Sequence, residues 1–315
     1  MKPQLFIVDA SFHIYRIYHS IVAGNKTPVE QHPNVLHGFL GLLRNLIENH
    51  GADHISIVFD PKGDTPTRQE RLYPEYKAHR EPCPPEVVEQ RELVKEACWL
   101  LGFSVWEEDG IEADDIIATL AYCAVSTGST FTIVGNDKDF YQLLDLEESA
   151  TILQYKRGRK KVTVTAKDVR RSELGVDPGQ VPSFLALVGD KADNIPGLKG
   201  CGRQTAQKLL KGFEDLDQTT EAIRGKSERT KVEQRLIDEQ NQVQKWLKLV
   251  TLDLEEPSTI NDFGTIRNEA PHPFEDGIVD FIKQHDLGWL RNSLLDNPNA
   301  TRITDLWHSK IELGV

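Results

Sequence analysis

Gly110-Ile111-Glu112-Ala113-Asp114-Asp115-Ile116 places three carboxylates within four positions, where an apolar run of helical period begins. The period predicts a helix continuing through Ile117, Leu120 and Ala121, with the acids in its first turn, where they suit the positive end of the helix dipole. Capping accounts for one or two of them. It does not require that Glu112 and Asp115, three apart, share a face. Carboxylates this close call for cations.

Working outward, apolar runs alternate with stretches of helical period. Leu5-Phe6-Ile7-Val8 reads as a strand ending at Asp9, and Ile55-Ser56-Ile57-Val58-Phe59 as one ending at Asp60. Residues 34–50 carry the apolar spacing of a buried helix, with Gly51 at the C-cap place. Phe131-Thr132-Ile133-Val134 runs into Gly135-Asn136-Asp137-Lys138-Asp139. The alternation predicts an α/β fold, a mostly parallel sheet with helices on both faces. In such sheets ligands bind beyond the carboxyl ends of the strands, where Asp9, Asp60 and Asp137 fall.

A further acidic stretch, Gly189-Asp190-Lys191-Ala192-Asp193-Asn194, precedes a glycine-rich turn. Asp9, Asp60, Glu112, Asp114, Asp115, Asp137, Asp139, Asp190 and Asp193 thus form a candidate Mg²⁺ set. Mg²⁺ is a hard ion that binds where a few carboxylates meet substrate phosphates. In a two-metal site, with ions roughly 3.5–4 Å apart, one activates the attacking water and the other stabilises the leaving oxygen. Each acid taken singly reads equally well as solvated surface; their recurrence at strand ends favours a site.

The chain of 315 residues has 39% hydrophobic content, ample for a core and for one large or two modest domains. Its four cysteines, Cys83, Cys98, Cys123 and Cys201, show neither C-x-x-C pairing nor zinc spacing, which disfavours structural zinc and a disulfide framework. The cysteine pattern points to a reducing cytoplasm, and a signal-peptide core and a membrane-spanning apolar run are both missing from the sequence, so a soluble protein away from membranes is expected; it is also expected to be a monomer. The net charge of −12 argues at first against a polyanionic partner, but the candidate metal ligands supply much of it. Lys156-Arg157-Gly158-Arg159-Lys160-Lys161 and the cluster Arg68, Arg71, Lys77, His79 and Arg80 are basic. The first also reads as a solvated hairpin turn between residues 152–155 and 162–164.

The second half is mainly helical, with helices expected over 181–188, 202–210 and 231–250, and a last helical part around 278–295 after an irregular connection at 255–275. Ile195-Pro196-Gly197-Leu198-Lys199-Gly200-Cys201-Gly202 joins the first two. Its glycines permit left-handed backbone, and successive N–H groups at a helix start can form an anion-binding concavity. A tight helix–helix turn is the plainer reading of the glycines alone; their place after Asp190 and Asp193 favours a clamp on duplex phosphates.

With these motifs in chain order, the sequence resembles the 5′-nuclease family: the 5′→3′ exonuclease domain of bacterial DNA polymerase I, stand-alone bacterial and phage 5′ nucleases and, more distantly, flap endonucleases. The resemblance covers roughly residues 4–295 and rests on Val8-Asp9-Ala10-Ser11, Val58-Phe59-Asp60, Pro74-Glu75-Tyr76-Lys77-Ala78-His79-Arg80, the acidic stretches above and Gly202-Arg203-Gln204-Thr205-Ala206-Gln207-Lys208-Leu209-Leu210. It implies a nuclease core over 1–180 with a helical arch near 77–100, a helical DNA-binding region over 181–295 and a tail over 296–315. By that similarity Asp9, Asp60, Glu112, Asp114, Asp115 and Asp137 serve the main metals, while Asp139, Asp190 and Asp193 complete the second metal region. Mn²⁺ is implied as a substitute for Mg²⁺.

The same resemblance implies that Lys77 contacts the scissile phosphate with help from Arg80. It also implies a helix-three-turn-helix over 183–212 that binds duplex, with Tyr76, Gly197, Lys199, Gly200, Gly202, Arg203 and Lys208 as DNA-binding positions. K⁺ would sit on main-chain oxygens of Leu187, Val188, Pro196, Leu198 and Cys201. The implied substrates are DNA with a 5′ flap, nick or 5′ end, and RNA in RNA–DNA hybrids. Two departures from the family pattern, His13 and Gly135-Asn136, remove no ligand. The length leaves no room for a polymerase, so a stand-alone nuclease or an isolated domain is expected. Two other classes compete with this reading: a non-catalytic junction-binding protein, disfavoured because unneutralised acids repel phosphate, and a small-molecule phosphatase, which needs no glycine-rich turn.

Overall fold

Alternation of side chains across apolar strands builds the centre of the molecule. Residues 2–24, 35–52, 54–63, 65–156, 160–256, 277–285 and 287 are described by a computed structural model. Six strands, β1 (Gln4–Asp9), β2 (His54–Val58), β3 (Ser104–Trp106), β4 (Thr130–Val134), β5 (Thr151–Lys156) and β6 (Lys160–Val164), form one sheet in the order β3-β2-β1-β4-β5-β6. Every neighbouring pair is parallel except β5 and β6, which are antiparallel. The predicted hairpin is that last pair; its tip, 157–159, lies outside the described residues.

Phe6 and Val8 point to one face with Ile55 and Ile57, under α1 (Ala10–Gly24), α2 (Val35–His50) and, further along the chain, the helix Pro85–Leu100. Leu5 and Ile7 point to the other with Ile133, under the helix Ala113–Ser126. Gly51 closes α2 in the left-handed region at φ +64°, the conformation glycine tolerates best.

Further α-helices among the described residues are α3 (Arg68–Leu72), α4 (Pro85–Leu100), α5 (Ala113–Ser126), the short α6 (Ala166–Asp168), α7 (Val181–Val188), α8 (Arg203–Leu210), α9 (Leu216–Arg224), α10 (Lys231–Asp238), α11 (Gln240–Val250) and α12 (Gly277–Gln284). The long helix expected over 231–250 is two. Glu239, at φ −104° and ψ 18°, breaks it.

Residues 77–100, expected as an arch, also divide. Pro84 and Pro85 start α4 with the fixed φ that suits a first turn. Its Val87, Val94, Ala97 and Cys98 are buried in the core, while Arg91 on the same helix donates to the Asp60 carbonyl at 2.7 Å.

The helical second half shares one core with the sheet: Leu185, Leu187, Trp246 and Val250 belong to the same apolar cluster as Leu5, Ile7 and Ile117. Positions 257–275 and 296–315 and, apart from Leu287, residues 286–295 lie outside the described residues.

Candidate active site

The acids meet at the carboxyl end of the sheet. Asp9 is the last residue of β1; its Oδ1 accepts from Phe12 N–H at 2.9 Å, which turns the carboxylate back over the start of α1. Gly135, just after β4, leaves room for it, since a Cβ there would stand 3.3 Å from Asp9 Cβ and 3.0 Å from the Phe140 ring.

Asp60 follows β2 and its Oδ1 accepts from Ala113 N–H, the first helical residue of α5, at 3.2 Å. The carboxylate that was expected at a strand end therefore also caps the helix that carries Glu112, Asp114 and Asp115. Asp137 Oδ1 accepts from Asp139 N–H at 2.9 Å, and Asp190 Oδ1 from Ala192 N–H at 2.9 Å.

Asp139, Asp190 and Asp193 are buried, and each offers an oxygen within 4.8 Å of the others'. Asp139 Oδ1 is buried with no hydrogen-bond partner. A buried, unpartnered carboxylate oxygen is costly. A divalent ion with oxygen preference would satisfy it, so these residues fit the ion the sequence implies.

Burial in an acidic neighbourhood has electrostatic consequences. Desolvation pushes the Asp9 carboxyl up to about 8, with Asp60 and Asp137 adding to the effect against the Phe12 N–H. Asp114 and Asp139 are raised well above the ordinary range by burial, each with Asp137 as the largest charge contribution. Burial also raises Glu112 and Asp193. Burial alone would lower the Lys77 ammonium; Glu112, Asp114 and Asp193 more than reverse this and hold it charged.

Cations are interleaved with these acids. Lys77 Nζ donates to Glu112 Oε2 at 3.0 Å, and Arg80 Nη2 to Asp193 Oδ1 at 2.7 Å. Lys138 pairs with Asp190. Lys77 and Arg80 thus reach the acidic site from the segment before α4.

The glycine-rich turn resolves into glycines with different reasons. Gly189 and Gly197, at φ +84° and +69°, let two backbones touch: a Cβ on Gly197 would lie 2.4 Å from Gly189 N. This is packing. Gly200 is left-handed at φ +84° with its Cβ direction nearly open, and Gly202 is the N-cap of α8 with nothing within 4 Å. Those two expose main chain. Lys199 and Lys208 are exposed beside them.

The profile of the 5′–3′ exonuclease N-terminal resolvase-like domain matches residues 4–173, and that of the 5′–3′ exonuclease C-terminal SAM fold matches residues 176–271. The chain belongs to the 5′–3′ exonuclease family. DNA polymerase I of Mycobacterium tuberculosis is 36% identical over 229 residues, 71% of this chain and 25% of that protein. DNA polymerase I of Streptococcus pneumoniae is 33% identical over 262 residues, 82% of this chain and 29% of that protein. The chain therefore spans only about a quarter of the length of these relatives. In fold it is similar to the phage T5 5′-exonuclease with bound zinc, at a TM-score of 0.66 and 19% identity over 90% of this chain and 98% of that one. The catalytic core of Rad2 in complex with DNA substrate aligns with a TM-score of 0.50 at 19% identity, over 91% of this chain and 88% of that one.

Within this 5′–3′ exonuclease fold, two expected residues are placed differently. Asp115, expected among the metal ligands, has both oxygens engaged by protein: Arg68 Nη2 donates at 3.2 and 3.3 Å, Gln69 Nε2 at 3.0 Å and Asp253 N–H at 2.9 Å. Tyr76, expected to touch DNA, is buried at 6% exposure in the apolar core, and its hydroxyl donates toward Glu112 Oε2 at 3.1 Å and Asp193 Oδ2 at 3.4 Å. Among the expected DNA-binding cations, Arg203 is tied to the Glu173 carbonyl. Of the carbonyls expected to hold K⁺, Leu187 O accepts from Leu198 N–H at 2.8 Å and Leu198 O from Cys201 N–H at 2.9 Å.

Both departures from the family pattern brace strand ends. Arg16 Nε donates to His13 Nδ1 at 3.2 Å, which leaves Nε2 as the donor to Val134 O at 3.1 Å. Burial, with Arg16 beside it, lowers His13 to about 3 and keeps it neutral. Asn136 joins β4 to β5, donating to Tyr155 O at 2.9 Å and accepting from Tyr155 N–H at 2.7 Å. Lys138 was legible only as a cation between two acids; its pairing with Asp190 bridges residues far apart in the chain.

Proposed function

We propose that this chain is a Mg²⁺-dependent, structure-selective 5′ nuclease that hydrolyses DNA phosphodiesters near 5′ ends and single-strand/duplex junctions, and RNA in RNA–DNA hybrids. The observation that carries the reading is the buried group Asp139, Asp190 and Asp193 beside Asp9, Glu112 and Asp114, faced by Lys77 and Arg80. Support from relatives is specific: one solved structure is described as a T5 flap endonuclease pseudo-enzyme–product complex with DNA and metal ions, and it shares this fold at a TM-score of 0.63.

Asp9, Asp60, Glu112, Asp114 and Asp137 would hold the main metal region, and Asp139, Asp190 and Asp193 the second. Ions bound there would activate water and stabilise the leaving oxygen. Lys77 and Arg80 would exchange their carboxylate partners for the scissile phosphate, where charge grows in the transition state. The main chain at Gly200–Gly202, with Lys199 and Lys208, would hold the duplex through its phosphates, and K⁺ bound nearby on main-chain oxygens would add to that hold. Asp115 would act by anchoring the first turn of α5.

The test is incubation of a 5′-labelled flap duplex with the protein in Mg²⁺ and in EDTA, with binding and product length read together. Short 5′ products in Mg²⁺ alone support the proposal. Binding without cleavage in Mg²⁺ or Mn²⁺ would assign the fold a purely structural role at junctions.

A further inference from the structure

Only two non-glycine residues among those described have left-handed backbone, Lys77 at φ 53° and Asn194 at φ 61°. They lie on opposite sides of one contact. Asn194 Nδ2 donates to Glu75 O at 2.7 Å, and Lys77 N–H donates to Asp193 O at 3.2 Å. Arg80 adds its Nε to Ala192 O at 3.4 Å and its Nη2 to Asp193 Oδ1. The turn carrying Lys77 is thus laced to the loop carrying Asp193 by polar links, and most of its surface is exposed.

Each left-handed residue has a local reason. Asp190 and Ile195 close the loop with reciprocal backbone bonds of 2.8 and 2.7 Å, and a left-handed Asn194 suits so tight a closure. That same closure brings Asp190 and Asp193 to one side. Lys77, by contrast, is a long side chain in a conformation that L-residues rarely adopt, which persists only where surroundings impose it. Asn194 and the Asp193 carbonyl are such surroundings.

We infer that Asn194 is a positioning residue, whose side-chain amide holds the Glu75 carbonyl and thereby sets the Lys77 turn so that its ammonium meets the scissile phosphate. The inference rests on the nuclease reading above. It differs from a loop-building role, because the loop needs only the left-handed backbone of Asn194 whereas the turn needs its Nδ2.

Asn194→Gly separates the two, since glycine keeps the left-handed backbone and removes the amide. The first measurement needs no cleavage: amide hydrogen exchange in the metal-free protein over residues 75–80. Exchange should quicken about fivefold or more in this segment while α5 is unchanged, because losing a tether raises local opening. Unchanged exchange over 75–80 would overturn the inference whatever the protein cuts. The second is single-turnover cleavage of the flap duplex with Kd measured in Ca²⁺. Asn194→Gly should slow cleavage about tenfold with Kd nearly unchanged, and cost less than about twofold when added to Lys77→Ala, because residues acting through one another are not additive. A full, additive loss in the Lys77→Ala background would also overturn it. A parent protein that cuts no flap in Mg²⁺, with the exchange result as expected, would instead remove the nuclease reading and leave Asn194 as a tether of the turn alone.

Discussion

Arg68 Nη2 sits 3.2 Å from Asp115 Oδ1, and the same guanidinium donates to the carbonyls of Lys248 at 2.7 Å and Thr251 at 3.0 Å. One side chain from α3 therefore joins the first turn of α5 to the end of α11. Asp115 is buried at 2% exposure, so a guanidinium that neutralises it also settles the cost of placing it there.

Arg68→Met should destabilise the protein by about 2 kcal/mol or more, because it strands a buried carboxylate with only two neutral donors. Asp115→Asn should lower the melting temperature while leaving the number of bound Mn²⁺ ions unchanged. Loss of a bound ion with unchanged stability would return Asp115 to the ligands.

Sequence reading reached the sheet and most of its acids because the signals are local. Asp9, Asp60 and Asp137 stand just past apolar runs, and strand geometry carries them to one edge. Asp115 was not assignable in this way: its spacing from Glu112 says that they share a face, but Arg68 arrives from 47 residues away. Tyr76, a DNA-binding position by the family resemblance, is buried instead, because its packing against the core is a tertiary contact that its local motif does not encode. The break at Glu239 was hidden because the apolar period runs across it, from Leu236 to Val243.

Metal binding should depend on pH with a definite sign. The Asp9 carboxyl rises from an ordinary 3.8 to about 8, chiefly through burial, and Glu112, Asp114, Asp139 and Asp193 are raised too. A carboxyl raised in the folded state contributes stability that is present below its unfolded value and is lost as pH rises through the folded one. The metal-free protein therefore loses this contribution between about pH 4 and pH 8, and ions that bind the charged carboxylates restore stability. The Mg²⁺-induced rise in Tm should be larger near pH 8 than near pH 6. An equal or smaller rise at the higher pH would contradict the raised values.

Lys77→Ala should slow single-turnover cleavage at saturating DNA by about tenfold or more, with little change in Kd, if its ammonium meets charge that grows only in the transition state. A normal rate at saturation would remove Lys77 from the reaction.

Gly200 and Gly197 should respond differently to substitution. Gly197→Ala places a Cβ against the Gly189 backbone and should lower Tm. A Cβ at Gly200 would meet only the Arg235 guanidinium and Val232 at ordinary contact distances of 3.5 and 3.9 Å, but Gly200→Val imposes a backbone conformation that a β-branched residue resists, so its effect should fall on the exposed main chain. Duplex binding in Ca²⁺ should weaken about tenfold, similarly for every sequence, since phosphate contacts do not read bases. Single-stranded ligands should be affected less. Equal loss on both ligands would make the turn a packing feature.

The most direct test of the metal-dependent acidic site is Asp60→Asn. The amide oxygen can still accept from Ala113 N–H, so α5 keeps its cap while the charge offered to a metal is lost. Single-turnover cleavage of a 5′-flap duplex in saturating Mg²⁺ should fall about 10²-fold or more relative to the parent, at unchanged Tm, because a displaced ion forfeits several kcal/mol of transition-state stabilisation. Cleavage within a few-fold of the parent would contradict the account.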